Sequence, residues 1–392
     1  MSTESSFARH ADWLWSARRV GDAAVFHKLI DLVTSRIEEI DGRAVRDTPL
    51  VRADALADAI GFAGELWVKD DTVNVAGSHK VRHLIGLALH ILADDPGDTR
   101  PLAIASCGNA ALAAAVVAKA IKRDLHVFIP PDANRVVVDR LVALDANITV
   151  CARRSDDYGD PCFLRFAEAV ASGGAVAFCC QGSVAPDTFD GGRTIAWEIV
   201  DQLVACTSGA PVSIDRVFVQ VGGGALATSV HLGMATMVQH GLLLATPVLH
   251  AVQSAGAAPL ERAYRLVRAH ADIVGVDAAL RHAAGHPAHF MWPWEQEPRS
   301  VATGILDDLT HDWLPIVDAM LHEGGWPIVV DEATLIEANE LGRVHTDIRV
   351  DHTGTAGLAG LLASLRASPG AFRGERIVVL FTGEDRRSES DA

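Results

Sequence analysis

Three short segments of this sequence carry residue types that could bind an anion or attack a carbonyl group. The first, AGSHKVRH (76–83), places Lys80 just before an apolar helix. The other two, SCGNA (106–110) and VGGGAL (221–226), each follow an apolar run and open another helix. Backbone N–H groups at a helix N-terminus attract anions, and burial makes a lysine amine nucleophilic toward carbonyls. The segments therefore suggest an anion site combined with a reactive lysine.

Each segment taken singly also has an ordinary structural explanation. A glycine turn between a strand and a helix is often only a tight turn. Lys80 alone is equally typical of a solvated lysine at a helix start. The triple glycine lacks the GxGxxG pattern of dinucleotide-binding loops. The interpretation therefore depends on the elements that position the three segments.

From residue 50 onward, strand-like and helix-like segments alternate in two series. The strand-like runs are apolar without polar alternation, which is typical of parallel sheets covered on both faces. This alternation predicts an α/β fold with two doubly wound domains. The predicted strands are 66–70, 101–106, 125–130, 147–151, 174–179, 216–221, 248–253 and 376–382, and the predicted helices are 84–93, 109–121, 135–144, 163–172, 193–203, 225–238, 334–345 and 355–365.

The chain divides into three predicted regions. Residues 1–45 form a helical extension that packs on the rest, residues 84–190 a smaller α/β domain, and residues 46–83 with 191–392 a larger α/β domain. The segment 282–299, with two tryptophans and three prolines, is the least regular stretch. It is either a lid or a surface excursion.

Composition narrows the possible partners. The 392 residues have a formal net charge of −16, which disfavours binding to nucleic acid. No apolar run is long enough for a membrane span or a signal peptide. The six cysteines contain no CxxC pair, which favours reduced thiols and a cytoplasmic location.

The order of several segments resembles the fold-type II enzymes that depend on pyridoxal 5′-phosphate (PLP). This family includes the tryptophan synthase β chain, threonine synthase, the serine/threonine dehydratases and O-acetylserine sulfhydrylase. The resemblance covers about residues 47–387 and implies two doubly wound α/β domains with a PLP cleft between them, the larger domain carrying the PLP site. Its landmarks are TPLVRADAL (48–56), GSHK (77–80), SCGNAALAAA (106–115), FDGGRTIAWEI (189–199), VGGGAL (221–226), RSVATGI (299–305), DHTGTAGLAGL (351–361) and LFTG (380–383).

The resemblance also implies residue roles. Lys80 would carry PLP as a Schiff base and act as the catalytic base. The cofactor would be bound by Lys80, His79, Asn109, Gly222, Gly223, Gly224, Ala225 and Thr382. The carboxylate of a small amino-acid substrate would be bound by the loop of Ser106, Cys107, Gly108 and Asn109. Relatives are commonly homodimers or homotetramers.

The reaction is predicted less sharply than the family. The helix at 189–199 is similar to that of dehydratases and favours a lyase, which eliminates a β substituent and releases an oxo acid and ammonia. Thr382 and the SCGN loop favour a β- or γ-replacement synthase, similar to threonine synthase or cysteine synthase, and an amino-acid racemase is a third option. Three glycines instead of four, and GEDRR after Thr382, depart from the family pattern. A non-catalytic amino-acid sensor would not need Lys80, Asn109 and Thr382 together.

Other candidate clusters have simpler explanations. Gly285 and Pro287 interrupt the helix that would align His282, His286 and His289 on one metal, so no metal is predicted. The acidic residues Asp307, Asp308 and Asp312 are expected to form a solvated face. Cys107 is expected to be a small filler because no positive neighbour is evident that would lower its thiol pKa.

Overall fold

The computed structural model describes residues 5–155, 157 and 159–386. The α-helices are α1 Ser6–Arg9, α2 Ala17–Val20, α3 Ala23–Asp41, α4 Asp54–Ala59, α5 Lys80–Asp94, α6 Asn109–Ala120, α7 Arg135–Ala143, α8 Pro161–Ala171, α9 Thr188–Gly192, α10 Thr194–Cys206, α11 Ala225–Gln239, α12 Pro259–Val274, α13 Val276–Gly285, α14 Trp313–Glu323, α15 Glu332–Thr346 and α16 Ala356–Ala367. The strands are β1 Leu50–Arg52, β2 Glu65–Asp70, β3 Leu102–Ala105, β4 Leu125–Ile129, β5 Asn147–Val150, β6 Val176–Ala177, β7 Arg216–Gln220, β8 Val248–Ser254, β9 Ile328–Val330 and β10 Arg376–Phe381. No helix of the described residues is both long and apolar enough to cross a membrane.

The chain forms two compact units, each built from two separate chain segments. Unit 1 comprises the described residues of 1–47 and 74–194, and unit 2 those of 48–73 and 195–392. The expected larger domain included residues 46–83, whereas the structure assigns 74–83 to unit 1. The physical reason is α5, which begins at Lys80 and packs on α6 and α9 of unit 1. The N-terminal segment also belongs to unit 1 rather than forming a separate region.

Unit 1 contains a four-stranded parallel sheet in the order β5-β4-β3-β6. Its central strands are apolar except for His126 in β4, and β3 pairs with β4 in the register Leu102↔Leu125. The strand predicted over 174–179 is only two residues long in the structure, because β6 pairs with β3 alone, at Val176 and Ala177. The carboxyl ends of these parallel strands all lie at one edge, where open α/β sheets bind ligands.

Unit 2 contains a six-stranded sheet in the order β1-β2-β10-β7-β8-β9. All neighbouring strands are parallel except β1, which pairs antiparallel with β2. Helix α16 packs against β7, β8 and β10, and its apolar side chains join theirs in a continuous buried core. The predicted α/β class with mostly parallel sheets is confirmed.

The N-terminal helix α3 shows why this segment packs rather than projects. Its buried residues Phe26, Ile30, Val33 and Ile37 recur at intervals of three and four, so they form one apolar stripe. Asp22 caps the helix by accepting hydrogen bonds from two backbone N–H groups. The stripe is buried within unit 1, where α3 contacts α6.

Asp190 in α9 anchors the residues that precede α3. Its carboxylate accepts hydrogen bonds from the backbone N–H groups of Trp15 (2.9 Å) and Ser16 (3.1 Å) and from Nε2 of His90 (2.9 Å). It also pairs with the guanidinium of Arg193. Burial alone would raise the pKa of Asp190, but the hydrogen bond from His90 and the charge of Arg193 outweigh it and lower that pKa.

A buried ion pair joins the two chain segments of unit 2. Lys69 in β2 donates to Glu198 in α10 (2.8 Å) and to the carbonyl of Thr48 (2.7 Å). Both charged side chains are almost completely buried, at 0% and 1% exposed. The backbone N–H of Thr48 also donates to Glu198 (3.1 Å), so the carboxylate has several donors.

Replacing Glu198 with glutamine tests this ion pair. The Glu198→Gln variant removes the carboxylate that pairs with the buried ammonium of Lys69, so the free energy of unfolding should fall by roughly 3–5 kcal/mol. Urea unfolding of the purified protein measures it. The matched control is Glu337→Gln, which breaks the exposed pair with Arg366 and should cost less than about 1 kcal/mol. Equal losses of unfolding free energy in the two variants would contradict a stabilising role for the buried ion pair.

Replacing Asp190 with asparagine tests the N-terminal anchor. An amide cannot accept from every donor around Asp190, and the guanidinium of Arg193 loses the negative charge of Asp190, so residues 5–20 should become open to protease. Limited trypsin digestion followed by mass spectrometry should then show faster cleavage at Arg9, Arg18 and Arg19. In the control Asp145→Asn, which loses only an exposed pair with Lys119, cleavage should stay at the wild-type rate.

Candidate active site

Lys80 is the first residue of α5 and is half-buried. The turn Val75–Gly77 precedes it, with Ala76 in the left-handed region at φ 52°. His79, the N-cap residue of α5, is buried and its ring lies 5.8 Å from that of His83. Lys80 is therefore placed at a helix start by a tight turn that packs on α6.

Contacts between α5 and α9 fix the helix that carries Lys80. The ring of His83 contacts the carbonyl of Thr188 (Nδ1 to O, 3.0 Å). Gly86 and Gly191 allow the two backbones to meet, since a Cβ on Gly86 would lie 2.4 Å from the nitrogen of Gly191. A larger residue at either glycine would move α5 and therefore Lys80.

The loop Ser106–Gly108 connects β3 to α6, and Asn109 is the first residue of that helix. The hydroxyl of Ser106 accepts a hydrogen bond from the backbone N–H of Gly108 (3.4 Å). The start of this twelve-residue helix gives the loop the positive potential expected of a carboxylate site.

Cys107 lies in this loop and keeps its proton. Loss of water around the sulfur atom, although the residue is partly exposed, and the nearby carboxylate of Asp132 raise the pKa of the Cys107 thiol. A thiol of raised pKa is a poor nucleophile. Cys107 is exposed, so it does not fill packed space as expected, but its neutral thiol leaves the loop without an anion that would repel a carboxylate.

In unit 2 the three consecutive glycines differ in backbone conformation and in the room they leave for a Cβ atom. Gly224 has φ 103°, which favours glycine. A Cβ on Gly222 would lie 2.2 Å from Oδ2 of Asp307 and 2.9 Å from Cα of Ile305. A Cβ on Gly223 would meet its nearest atom, in His311, only at 3.8 Å. Gly222 is thus required by the protein's own packing, whereas a Cβ on Gly223 would meet the protein only at ordinary van der Waals distance.

Thr382 follows β10 and is buried beside Gln220, the last residue of β7. Because β7 and β10 are parallel neighbours, their carboxyl ends lie together. The side-chain amide of Gln220 donates a hydrogen bond to the hydroxyl of Thr382 and another to the carbonyl of Gly354 (3.2 Å). The end of β10 therefore presents a neutral hydroxyl held by a neutral amide.

Two further landmarks of the sequence meet the same edge of unit 2. The backbone N–H of Gly304 donates to the hydroxyl of Thr353 (2.9 Å). A Cβ on Gly354 would lie 3.1 Å from the nitrogen of Thr382. The segments 299–305, 351–361, 221–226 and 380–383, which are far apart in sequence, therefore converge in this unit.

The donors of unit 2 fit a phosphate-bearing cofactor. The glycine loop opens the fifteen-residue helix α11, whose N-terminus attracts anions, and Gly223 leaves space there. In the same helix the hydroxyls of Thr228 and Ser229 are buried, and in the described structure neither has a hydrogen-bond partner. Such orphaned hydroxyls are costly unless a ligand or water completes them.

The predicted site residues divide between the two units. His79, Lys80, Ser106, Cys107, Gly108 and Asn109 belong to unit 1, and Gly222, Gly223, Gly224, Ala225 and Thr382 belong to unit 2. Two residues of the site were missed by the sequence analysis, Gln220 and Asp307. Gln220 left one signal, since it is the one uncharged polar residue in the strand RVFVQ; Asp307 left none that separates it from Asp308.

The remaining candidate clusters do not form metal centres. Among the described residues no group of three ligand-type side chains is arranged to hold a metal. The rings of His282 and His286 are stacked with centroids 4.4 Å apart instead of directing nitrogens at one point. The expected solvated acidic face is wrong for Asp312, which is buried, and its N–H donates to the carbonyl of Gly223 (2.8 Å).

The segment 282–299, whose first four residues are the last four of α13, is anchored to α12. The guanidinium of Arg262 donates to both carboxylate oxygens of Glu295 (2.7 and 2.9 Å) and lies 3.9 Å from the ring centroid of Trp292. The backbone N–H of Trp294 donates to the backbone carbonyl of Asp308 (2.8 Å). Through Asp308 this segment is connected to the residues that pack on the glycine loop.

A comparison with protein families identifies the class. Residues 42–383 match the family described as pyridoxal-phosphate dependent enzyme. The fold, with its mostly parallel sheets and its loops at strand ends, agrees with that match. The chain therefore belongs to the family of PLP-dependent enzymes of fold type II, and the family and cofactor predicted from the sequence are confirmed.

Individual relatives are distant. The chain is 25% identical to threonine synthase of Methanocaldococcus jannaschii over 339 residues, which are 86% of this chain and 74% of that protein. Maize serine racemase has a similar fold, with a TM-score of 0.68 and 19% identity over 92% of this chain and 94% of that one. Threonine deaminase isoform 2 of Solanum lycopersicum gives a TM-score of 0.67 and 17% identity over 95% of this chain and 92% of that one.

A methyl group added at Gly223 gives a test of the cofactor loop. The Gly223→Ala variant should fold normally, because its Cβ meets the protein only at ordinary contact distance. Its affinity for PLP should nevertheless fall at least about tenfold, since the methyl group takes space beside the phosphate. Titration of the cofactor-free protein with PLP, followed by absorbance, measures this. The control Gly285→Ala, which also adds a methyl group in open space, should bind PLP as the wild type does; unchanged binding by Gly223→Ala would contradict the assignment.

Proposed function

We propose that this protein is a PLP-dependent lyase that removes a β substituent from a small amino acid and releases an oxo acid and ammonia. In this reaction the Cα–H bond and the bond from Cβ to the leaving group break. Water then releases the nitrogen as ammonia. Lys80 is the residue proposed to carry the cofactor.

The observation that carries this proposal is the neutral pair at the end of β10. Thr382 presents a hydroxyl, held by the amide of Gln220, where an acidic partner would keep a bound pyridine ring protonated. Neighbouring charge and hydrogen bonds tune how strongly such a ring withdraws electrons. A hydroxyl gives weaker withdrawal, which suits elimination or replacement better than transamination.

The other roles follow from the local geometry of each unit. The amine of Lys80, once free of the cofactor, is the proposed base for the Cα proton. The loop Ser106–Asn109 would bind the substrate carboxylate with the N–H groups that open α6. Gly222, Gly223, Gly224 and Ala225 would bind the phosphate through the start of α11, with His79 as a further contact. Asn109 would hydrogen-bond the 3′ oxygen of the cofactor. When bound, PLP supplies the electron sink for the carbon that loses its proton.

A replacement synthase is the second candidate, and one observation favours it. The curated relatives of M. jannaschii and Synechocystis sp., each 25% identical to this chain, are threonine synthases. Similar folds include threonine deaminase and L-serine ammonia-lyase, which support the lyase, and serine racemase, which supports a racemase. The proton abstraction by Lys80 is common to all three reactions.

The proposal also covers location and assembly. Six cysteines without a CxxC pair suit a reducing cytoplasm, and a homodimer or homotetramer is the proposed assembly. Light scattering of the purified protein measures the assembly.

A panel of amino acids tests the proposed reaction. PLP-loaded protein is offered L- and D-amino acids and their O-acyl and O-phospho derivatives, and released ammonia and oxo acid are measured. One substrate should yield both products in equal amounts. The Lys80→Ala variant should lose activity by several orders of magnitude, whereas Lys119→Ala, which alters an exposed lysine, should keep it.

Three other outcomes would each replace the lyase. Release of a new amino acid only when a second nucleophile is added indicates a replacement synthase. Exchange of the Cα proton with solvent deuterium, without loss of the substituent, indicates a racemase. Borohydride reduction should fix PLP on the peptide that contains Lys80, and attachment to a different lysine would contradict the assignment of the cofactor residue.

A further inference from the structure

Gln220 closes a strand whose interior is apolar. It is the last residue of β7, 4% exposed, and lies beside the carboxyl end of β10. A buried amide at this point has no role in the apolar core. Its contacts therefore indicate what it does.

The contacts of Gln220 fix which end of its amide is the donor. The Nε2 atom lies 3.2 Å from the carbonyl oxygen of Gly354 and 3.3 Å from that of Leu380. Carbonyl oxygens only accept, so the atom that faces them must be the N–H₂ group. The same nitrogen contacts the hydroxyl oxygen of Thr382. Gln220 can therefore only donate to Thr382, and the hydroxyl hydrogen of Thr382 must point elsewhere.

This orientation of the Gln220 amide leaves its oxygen atom unpaired within the described structure, which destabilises the fold. The other amide atom, Oε1 of Gln220, is buried, and the described structure contains no hydrogen-bond partner for it. It lies against α16, where a Cβ on Gly357 would come within 3.2 Å. An unpaired buried acceptor destabilises a fold, and exceptions of this kind concentrate at functional sites.

We infer that Gln220 is a positioning residue that makes Thr382 donate, and not accept, a hydrogen bond toward the ring nitrogen of the cofactor. The inference rests on the proposed roles of PLP and Thr382. A hydroxyl that donates can meet only a nitrogen that has a free lone pair. Gln220 therefore keeps the ring nitrogen unprotonated without contacting it, because it acts through the hydroxyl of Thr382.

Variants of Gln220 test this role without measuring activity. PLP labelled with ¹⁵N in the ring is bound to the purified protein, and its ¹⁵N chemical shift is followed against pH, because protonation of the ring nitrogen moves that shift. In the wild type the nitrogen should stay unprotonated throughout. In Gln220→Met, which keeps the size but removes the donor, the midpoint of protonation should rise by about one pH unit or more.

Two further variants separate positioning from a structural role. In Gln220→Glu the side chain has no N–H₂ group to hold the oxygen of Thr382, so the midpoint should rise as in Gln220→Met. In a Thr382→Val background, Gln220→Met should add nothing, because Gln220 acts only through Thr382. Gln253→Glu places the same carboxylate in the neighbouring strand β8, where Gln253 contacts Val221 and Leu260, and should leave the signal at the wild-type value.

The outcomes distinguish this inference from the proposed function. If the wild type binds no PLP, the proposed function and the inference both fail. If the wild type binds PLP through Lys80 but Gln220→Met and Gln220→Glu give the wild-type midpoint, only the inference is overturned. An additive effect of Gln220→Met in the Thr382→Val background would likewise overturn it.

Discussion

The buried ion pair of Lys69 and Glu198 is the constraint on which the arrangement of unit 2 depends. The two residues are 129 positions apart, and each pays a large desolvation penalty that only a fully hydrogen-bonded partner can offset. The pair fixes β2, and β2 in turn sets β10, since Lys69 lies opposite Leu380 in their parallel register. Thr382 is two residues beyond that point. The position of the hydroxyl thus follows from an ion pair that does not touch it.

Unit 1 also contains a buried carboxylate, that of Asp190, which holds separate segments of the chain together. The carboxylate of Asp190 takes hydrogen bonds from the N-terminal segment and from α5, the helix that begins with Lys80. The same stretch, α9, contacts α5 at close range through Gly191 and Gly86. One buried acidic side chain therefore connects the extension at the start of the chain with the helix of the reactive lysine. The extension supports the site by packing.

The sequence predicted most elements of the fold, because apolar periodicity is a local property. The strand RVFVQV and the helix after the glycines have nearly the predicted bounds. The length of β6 was not predictable, since only two of its residues find a partner on β3. The boundary near residue 74 was also missed, because it depends on which helices α5 contacts.

The candidate site was predicted only in part, because local motifs leave a signal in the sequence and long-range contacts do not. Lys80, the loop 106–109 and the glycines belong to short motifs with local signals. The contact of Gln220 with Thr382 joins residues 162 positions apart, and the approach of Asp307 to Gly222 depends on the path of a long irregular segment. Neither leaves a periodic signal in the sequence. Tertiary contacts of this kind become visible only when the strands are placed side by side.

The order of the strands has a consequence for biosynthesis. All residues of unit 1 have been made once the ribosome reaches residue 194. Strand β2 is also made early but belongs to unit 2, and its parallel partner is β10, the last element of the described residues. Until then β2, with its apolar side chains Leu66 and Val68, has β1 as a strand partner on one edge and none of the described strands on the other. Long-range parallel pairing is slow, and an unpaired apolar edge promotes aggregation. A ribosome that stops before residue 376 thus leaves β2 and β7 each without the parallel partner β10, the kind of nascent chain that chaperones bind.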